Sequence, residues 1–168
     1  MSTQIRIAGI IEESIVDGPG IRFVVFAQGC GHKCPGCHNP HTHSFDGGSL
    51  IEVEEAIKQM RNNPLLDGIT LSGGEPFEQA AAMGELAFRA RLLGYNVMTY
   101  TGYTYEYILE NQDIISGWRK LLENTDTLVD GRFELDKKNL LLRFKGSENQ
   151  RIINVRKSLL EGRMVLAE

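Results

Sequence analysis

Three closely spaced cysteines are the residues of this chain with the clearest capacity for chemistry. Cys30, Cys34 and Cys37 follow the spacing Cys-x3-Cys-x2-Cys, and the chain contains no other cysteine. An iron-sulfur cube takes one thiolate per iron, so three thiolates leave one iron free to bind something that is not protein. The spacing therefore predicts an iron-sulfur centre with an open iron. The odd number of thiols also disfavours a disulfide framework.

Zinc is the alternative metal for this segment. Four histidines lie close to the cysteines in sequence and could complete a Cys3His site: His32, His38, His41 and His43. A protein of that kind would be a zinc-stabilised binding module without catalysis. His38 directly follows Cys37, which places its backbone or ring near any bound metal. The two interpretations differ in colour, because an iron-sulfur protein is brown and a zinc protein is colourless.

A second segment, Ser-Gly-Gly-Glu-Pro at residues 72–76, has the composition of a ligand-binding loop. Gly73 and Gly74 allow the backbone to approach a ligand closely. Carbonyl and carboxylate oxygens, including those of Glu75, can accept hydrogen bonds from an ammonium group. Alone, the motif is also typical of a turn before a capped helix. Its position one strand-helix unit after the cysteines favours the functional interpretation.

The remaining pattern predicts the elements that position these loops. Four apolar segments are typical of strands buried in a parallel sheet, namely residues 21–27, 68–71, 96–101 and 126–129. Helices are predicted between them. Ser49 and Glu52 have the spacing of a capping box for a first helix, which is expected to end near Asn62. A second helix is expected to begin at Glu75 and Pro76 and to end at Gly94. A third helical region is expected over residues 105–123.

Alternating strands and helices predict an α/β fold with parallel strands, in which ligands gather beyond the carboxyl ends of the strands. Each unusual loop directly follows a predicted strand, so we expect the loops to share one rim. A complete eight-stranded βα barrel needs about 250 residues. With 168 residues, the chain is expected to form an incomplete (partial) barrel with an open side that could admit a macromolecule.

Composition limits the classes of protein that fit. The chain has 42% hydrophobic and 24% charged residues, which is ordinary for a globular protein, and its length suits a single domain over residues 1–168. Its apolar runs are too short to span a bilayer, and the start lacks the pattern of an export signal. A net charge of −4 disfavours tight binding of bare nucleic acid. We therefore expect a cytoplasmic protein without nucleic-acid or membrane partners.

The charge is unevenly distributed along the chain. From Gly131 onward there are nine Lys or Arg against five Asp or Glu, whereas the residues before it have nine against 17. A basic carboxyl-terminal part could contact an acidic partner. A solvated surface with a chance imbalance is the alternative.

The cysteine spacing and the Gly-Gly-Glu segment resemble those of the radical S-adenosylmethionine superfamily. Segments around them resemble the glycyl-radical-enzyme activases within it: VDGPGIR at 16–22, QGC at 28–30 and CHNP at 37–40. Three later segments favour the branch that activates anaerobic ribonucleotide reductase over the branch that activates pyruvate formate-lyase. They are YTGY at 100–103, VDGRF at 129–133 and RFKGSENQR at 143–151.

This resemblance implies a function and its cofactors. Cys30, Cys34 and Cys37 would hold a [4Fe-4S] cluster whose free iron binds S-adenosylmethionine. Reductive cleavage of that molecule would yield a 5′-deoxyadenosyl radical, which removes a hydrogen atom from a glycine of the anaerobic (class III) ribonucleoside-triphosphate reductase large subunit. No side chain is required as a general acid or base, and a low-potential donor such as flavodoxin would supply the electron.

The resemblance also implies which residues contact S-adenosylmethionine. Gly36, Cys37 and His38 would border it on one side, and Gly73, Gly74 and Glu75 on the other. One position departs from the superfamily pattern: the residue before the last cysteine is commonly aromatic and shields the adenine, whereas this chain has Gly36. The reductase-activating branch has a glycine there, so another group must pack against the adenine.

Overall fold

A seven-stranded sheet organises the protein. The computed structural model describes residues 3–167. The strands lie in the order β3-β1-β2-β4-β5-β6-β7. Their bounds are β1 (Gln4–Ser14), β2 (Arg22–Ala27), β3 (Ser49–Glu52), β4 (Gly68–Gly73), β5 (Asn96–Tyr100), β6 (Thr127–Asp130) and β7 (Arg151–Asn154).

The four central strands, β2, β4, β5 and β6, are parallel to one another. They coincide with the four apolar segments of the sequence, which confirms the α/β fold. The pairs at both edges are antiparallel: β1 with β2, β3 with β1, and β7 with β6. The strand pattern of the sequence misses these edge strands. β1 mixes polar and apolar residues around Gly9, and the residues of β3 have the spacing of a helix start.

In the described residues, five α-helices connect or follow the strands: α1 (Val53–Arg61), α2 (Ala80–Leu92), α3 (Tyr105–Asn111), α4 (Trp118–Glu123) and α5 (Val155–Glu161). A 3-10 turn over Pro76–Gln79 precedes α2, and Glu75 caps that turn. The predicted helical region over 105–123 consists of two helices, α3 and α4. Gly117, at the start of α4, has φ +85°, outside the range of a continuous α-helix.

The predicted capping box is wrong. Ser49–Glu52 forms strand β3, whose residue Ile51 pairs with Ile5 of β1. The backbone of this segment is therefore engaged in the sheet, and α1 begins immediately after it at Val53 without a side-chain cap on its first turn. Pairing with β1, which is distant in sequence, outweighs the local preference for a helix start.

The main hydrophobic core lies between the sheet and its helices. It contains Phe23 and Val25 of β2, Leu71 of β4, and apolar residues of α1, α2 and α4. Among residues 3–167, no helix is long and apolar enough to cross a membrane. Side chains alternate along a strand, so Val24 faces the side of the sheet opposite to Phe23 and Val25.

A turn over residues 15–21 packs on that opposite face and is fastened there by a buried arginine. Arg22 is 1% exposed and donates to Thr70 Oγ1 at 2.7 Å and to the Pro19 carbonyl at 3.0 Å. Thr70 Oγ1 in turn donates to the Asp17 carbonyl at 2.8 Å. Burial lowers the pKa of Arg22. The turn is thus held against the middle of β4, beneath the loops that end the strands.

Candidate active site

A cavity of about 590 Å³ opens among the loops that follow the central strands. Its wall contains all three cysteines, residues 72–74 after β4, residues 101–102 after β5, and Gly131 after β6. The prediction that these loops share one rim is therefore confirmed. Parallel strands bring their carboxyl ends to the same edge, which gathers residues that are far apart in sequence.

The cysteines belong to a loop that begins directly after β2. Cys30 is buried, Cys34 and Cys37 are half-buried, and all three are free thiols. The two ends of the loop are joined, since Gly29 N donates to the Thr42 carbonyl at 2.7 Å. Within the loop, Cys37 N donates to the Cys34 carbonyl at 3.1 Å and closes a turn between these two cysteines. Burial raises the pKa of the Cys30 and Cys34 thiols. Metal binding there must therefore displace protons.

Gly73 and Gly74 form the part of the cavity wall that packs against the end of β2 and the start of the cysteine loop. Gly73 has φ +89°, and a Cβ on it would lie 2.5 Å from Ala27 N. A Cβ on Gly74 would overlap the Gly29 carbonyl oxygen. Gly74 N donates to the Ala27 carbonyl at 2.7 Å, and Glu75 N donates to the Gly29 carbonyl at 2.9 Å. The two glycines are therefore required for the close packing of this segment on the cysteine loop.

The Glu75 carboxylate is completely buried and joins three loops. It accepts hydrogen bonds from four groups: Phe77 N at 3.0 Å, Thr101 Oγ1 at 2.9 Å, Gly102 N at 2.7 Å and His32 Nε2 at 2.7 Å. These donors belong to the turn before α2, the segment after β5 and the cysteine loop. The side chain connects the parts of the cavity wall, whereas Gly73 and Gly74 face the cavity itself.

His32 and Gly36 occupy specific packing positions in the cysteine loop. The His32 ring meets Tyr103 edge-on, with ring centroids 4.6 Å apart. Gly36 has φ +73°, and a Cβ there would lie 2.8 Å from Leu135 Cδ1. Gly36 thus packs against the segment after β6, whereas His38 lines the cavity, with its ring centroid 5.2 Å from that of Phe133.

Several cavity residues are identified only by the structure. The wall also contains Tyr100, Arg132, Phe133, Phe144 and Lys145. Tyr100 is half-buried and donates from its hydroxyl to the Phe144 carbonyl at 2.6 Å. Four of these five residues belong to the VDGRF and RFKGS segments, so the resemblance of these segments to the activases was the sequence feature that could have identified them as residues of the site. The cavity wall therefore contains the aromatic rings of Tyr100, Phe133 and Phe144, although residue 36 is a glycine and not the aromatic residue common in the superfamily.

The donor set suits a cluster with several metal atoms. Within residues 3–167, no three side chains of His, Cys, Asp or Glu converge closely enough to hold a single ion. A tetrahedral zinc site needs its thiolates about 2.3 Å from one ion, whereas a cube places each thiolate on a different iron. Three separated free thiols around one cavity therefore fit the cube better than a preformed zinc site.

Comparison with known proteins agrees with this site. Residues 16–153 match the family described as 4Fe-4S single cluster domain. The chain is 40% identical to the pyruvate formate-lyase-activating enzyme of Clostridium pasteurianum over 66% of this chain and 50% of that enzyme, so it spans about half of that relative's length.

The match to reductase-activating proteins is longer. The chain is 32% identical to the anaerobic ribonucleoside-triphosphate reductase-activating protein of Salmonella typhimurium over 84% of this chain and 94% of that protein. The corresponding protein of Enterobacteria phage T4 is 32% identical over 82% of this chain and 86% of its own length. The chain therefore belongs to the 4Fe-4S single cluster domain family and, within it, to the anaerobic ribonucleoside-triphosphate reductase-activating proteins.

Proposed function

We propose that this protein activates an anaerobic ribonucleoside-triphosphate reductase by generating a glycyl radical on its large subunit. The observation that carries the proposal is the arrangement of three free thiols and the Gly73-Gly74 segment around one cavity. We further propose that residues 1–168 form one radical S-adenosylmethionine domain. The loops that follow the parallel strands lie around one cavity, and this arrangement supports the description of the domain as a partial βα barrel.

Cys30, Cys34 and Cys37 would hold the [4Fe-4S] cluster and leave one iron without a protein thiolate. When bound, the cluster would supply one electron for the cleavage of S-adenosylmethionine to methionine and a 5′-deoxyadenosyl radical, and that radical would take the hydrogen atom from the glycine and become 5′-deoxyadenosine. The protein residues orient these molecules and exclude water. Their role requires no proton transfer by a side chain.

The described geometry supports different roles for the proposed S-adenosylmethionine residues. Gly73, Gly74, Cys37 and His38 line the cavity and are placed to border the ligand. The Glu75 side chain has four protein donors and complete burial, so we propose that it acts by holding the loops in register. Gly36 would act in the same indirect way, through its close packing on Leu135.

The remaining assignments follow from the chemistry of the reaction and of the chain. A low-potential donor such as flavodoxin would supply one electron per cleavage. The composition supports a cytoplasmic protein whose partners are proteins, without nucleic acid or membrane. A related activase of a different glycyl radical enzyme, such as pyruvate formate-lyase, is the second candidate, because that kind of relative shares 40% identity over 119 residues.

Anaerobic electron paramagnetic resonance distinguishes the two candidates. Reconstituted, reduced protein and S-adenosylmethionine would be mixed separately with an anaerobic ribonucleotide reductase and with a pyruvate formate-lyase. We expect a glycyl doublet with the reductase only. A doublet with the lyase only would preserve the radical chemistry and overturn the partner, whereas no doublet with either would overturn the proposed activation.

Removal of one thiol tests the cluster ligands directly. In Cys34→Ala we expect loss of the broad absorption near about 400 nm and loss of S-adenosylmethionine cleavage by dithionite-reduced protein. His41→Ala is the matched control, because His41 is an exposed residue of the same loop. Normal cleavage by Cys34→Ala would contradict the proposed ligand set.

A further inference from the structure

The segment between β6 and β7 carries an exposed apolar tip, residues 140–145, with the sequence Leu-Leu-Leu-Arg-Phe-Lys. Leu140 is 84% exposed and Leu141 is 94% exposed. Two adjacent leucines with almost no protein contact are unusual for a solvated loop. A contiguous exposed apolar patch is typical of a surface that binds another protein.

This tip is held in place rather than loosely tethered. Its base is closed by an antiparallel bridge between Lys138 and Ser147. Asn139 N donates to the Gly146 carbonyl at 3.2 Å, and the Asn139 side chain accepts from Leu141 N at 2.9 Å. The exposed leucines are therefore presented at a defined position.

The far side of the tip is fixed to the sheet through Tyr100. The Tyr100 hydroxyl donates to the Phe144 carbonyl at 2.6 Å. Phe144 has φ +64°, a left-handed conformation that is costly for an aromatic residue and persists only where its surroundings impose it. Such outliers are concentrated at functional sites.

The tip belongs to the mouth of the candidate active site. Leu142, Phe144 and Lys145 line the cavity, so the residues beside the exposed leucines form part of its wall. The turn after β1 also combines exposed apolar side chains with a position at the cavity wall. Val16 lines the cavity, Ile15 is 76% exposed and Val16 is 73% exposed. Two segments distant in sequence thus present apolar side chains beside one opening.

Charge identifies the kind of surface that would fit. The tip contains Arg143 and Lys145 and no acidic residue. Net positive charge is a property of the chain from Gly131 onward, whereas the residues before it are acidic. A partner surface that is apolar at its centre and acidic around it would complement the tip in both respects.

We infer that residues 140–145, together with Ile15 and Val16, form the docking surface for the reductase subunit that receives the radical. The inference rests on the proposed function. A glycine in that subunit must reach the cavity, so the partner has to cover the mouth, and the exposed leucines are continuous with the wall of that mouth. The occupant is therefore the glycine-bearing subunit with an acidic rim.

The test uses Leu140→Ser/Leu141→Ser in the full-length, reconstituted protein. Both side chains are exposed and lie outside the cavity wall, so cleavage of S-adenosylmethionine in the absence of reductase should equal that of the unchanged protein. Leu160→Ser is the matched control, because Leu160 is 87% exposed on α5. Binding of the reductase subunit is measured by biolayer interferometry, and the glycyl doublet is measured at limiting reductase.

We expect the double variant to raise the dissociation constant for the reductase at least about tenfold, which corresponds to about 1.4 kcal/mol. The doublet should fall in proportion and recover at high reductase concentration. Arg143→Glu should weaken binding as well, and more strongly at low salt. Leu160→Ser should match the unchanged protein.

The outcomes separate the two claims. If the double variant binds and activates the reductase as well as Leu160→Ser does, the docking surface is wrong and the proposed function stands. If the unchanged protein neither binds the reductase nor produces a doublet, the proposed function fails and the docking assignment fails with it. If reductase-free cleavage falls in the double variant, the leucines support the active site and their assignment to docking is wrong.

Discussion

Replacing Glu75 removes the acceptor that joins three loops of the active site. Its Oε1 accepts from Gly102 N and His32 Nε2, and its Oε2 accepts from Phe77 N. In Glu75→Gln one of these oxygens becomes an NH2 group, which donates and does not accept. Whichever oxygen is replaced, a backbone N–H loses its acceptor: the half-buried one of Gly102 or the buried one of Phe77. Glu75→Ala removes the acceptor of all four donors.

The cost follows from these bonds. One unsatisfied buried donor destabilises a protein by about 1–3 kcal/mol, so Glu75→Gln should lower the free energy of unfolding by about 2 kcal/mol. For Glu75→Ala we expect about 4 kcal/mol, since relaxation and entering water offset part of the four losses. Domains of this size are stable by about 5–15 kcal/mol, so the alanine variant should still fold but lose a large part of its stability.

Urea unfolding of the metal-free protein under anaerobic conditions measures both values. Trp118 is the single tryptophan and packs edge-on against Phe77, with ring centroids 5.5 Å apart. Its fluorescence therefore reports on the region that Glu75 caps. Glu78→Gln is the control, because Glu78 is exposed and its Tyr103 partner can donate to an amide oxygen. A Glu75→Gln value within about 0.5 kcal/mol of this control would refute the reasoning.

Two further substitutions test the wall and the sheet. Gly74→Ala should weaken S-adenosylmethionine binding about tenfold or more. The added Cβ would overlap the Gly29 carbonyl oxygen, so the cysteine loop would have to move. Equilibrium binding of S-adenosylmethionine to the reconstituted protein measures this effect. Arg151→Ala should lower the free energy of unfolding by about 3 kcal/mol. Asp130 is 1% exposed, and its buried charge would lose its arginine partner. Urea unfolding measures this change.

Each of these has a matched control. Gly9→Ala adds a Cβ where no atom lies within 4 Å, so its effect on S-adenosylmethionine binding should be nil, and an equal loss in both glycine variants would exclude the steric explanation. Arg163→Ala removes an exposed partner of Glu161 and should change the free energy of unfolding by less than about 1 kcal/mol. Equal stability of the two arginine variants would show that Asp130 does not depend on Arg151.

The sequence alone predicts the features that depend on neighbours along the chain. The Cys-x3-Cys-x2-Cys spacing and the Gly73-Gly74 pair are local patterns, and their chemistry follows from residue type. The four central strands are also local signals, because a strand buried on both faces is apolar throughout. Once these strands are parallel, their loops must meet at one rim.

Tertiary structure decides what depends on residues far apart in sequence. Ser49–Glu52 is a strand because β1 offers it a hydrogen-bonding edge. Glu75 joins loops because folding brings His32 and Gly102 to the same buried carboxylate. Phe144, close in sequence to the exposed leucines at 140 and 141, lines the cavity, and its carbonyl accepts a hydrogen bond from Tyr100 of β5. None of these partners is encoded by local spacing, since long-range contacts form only when the whole sheet is assembled.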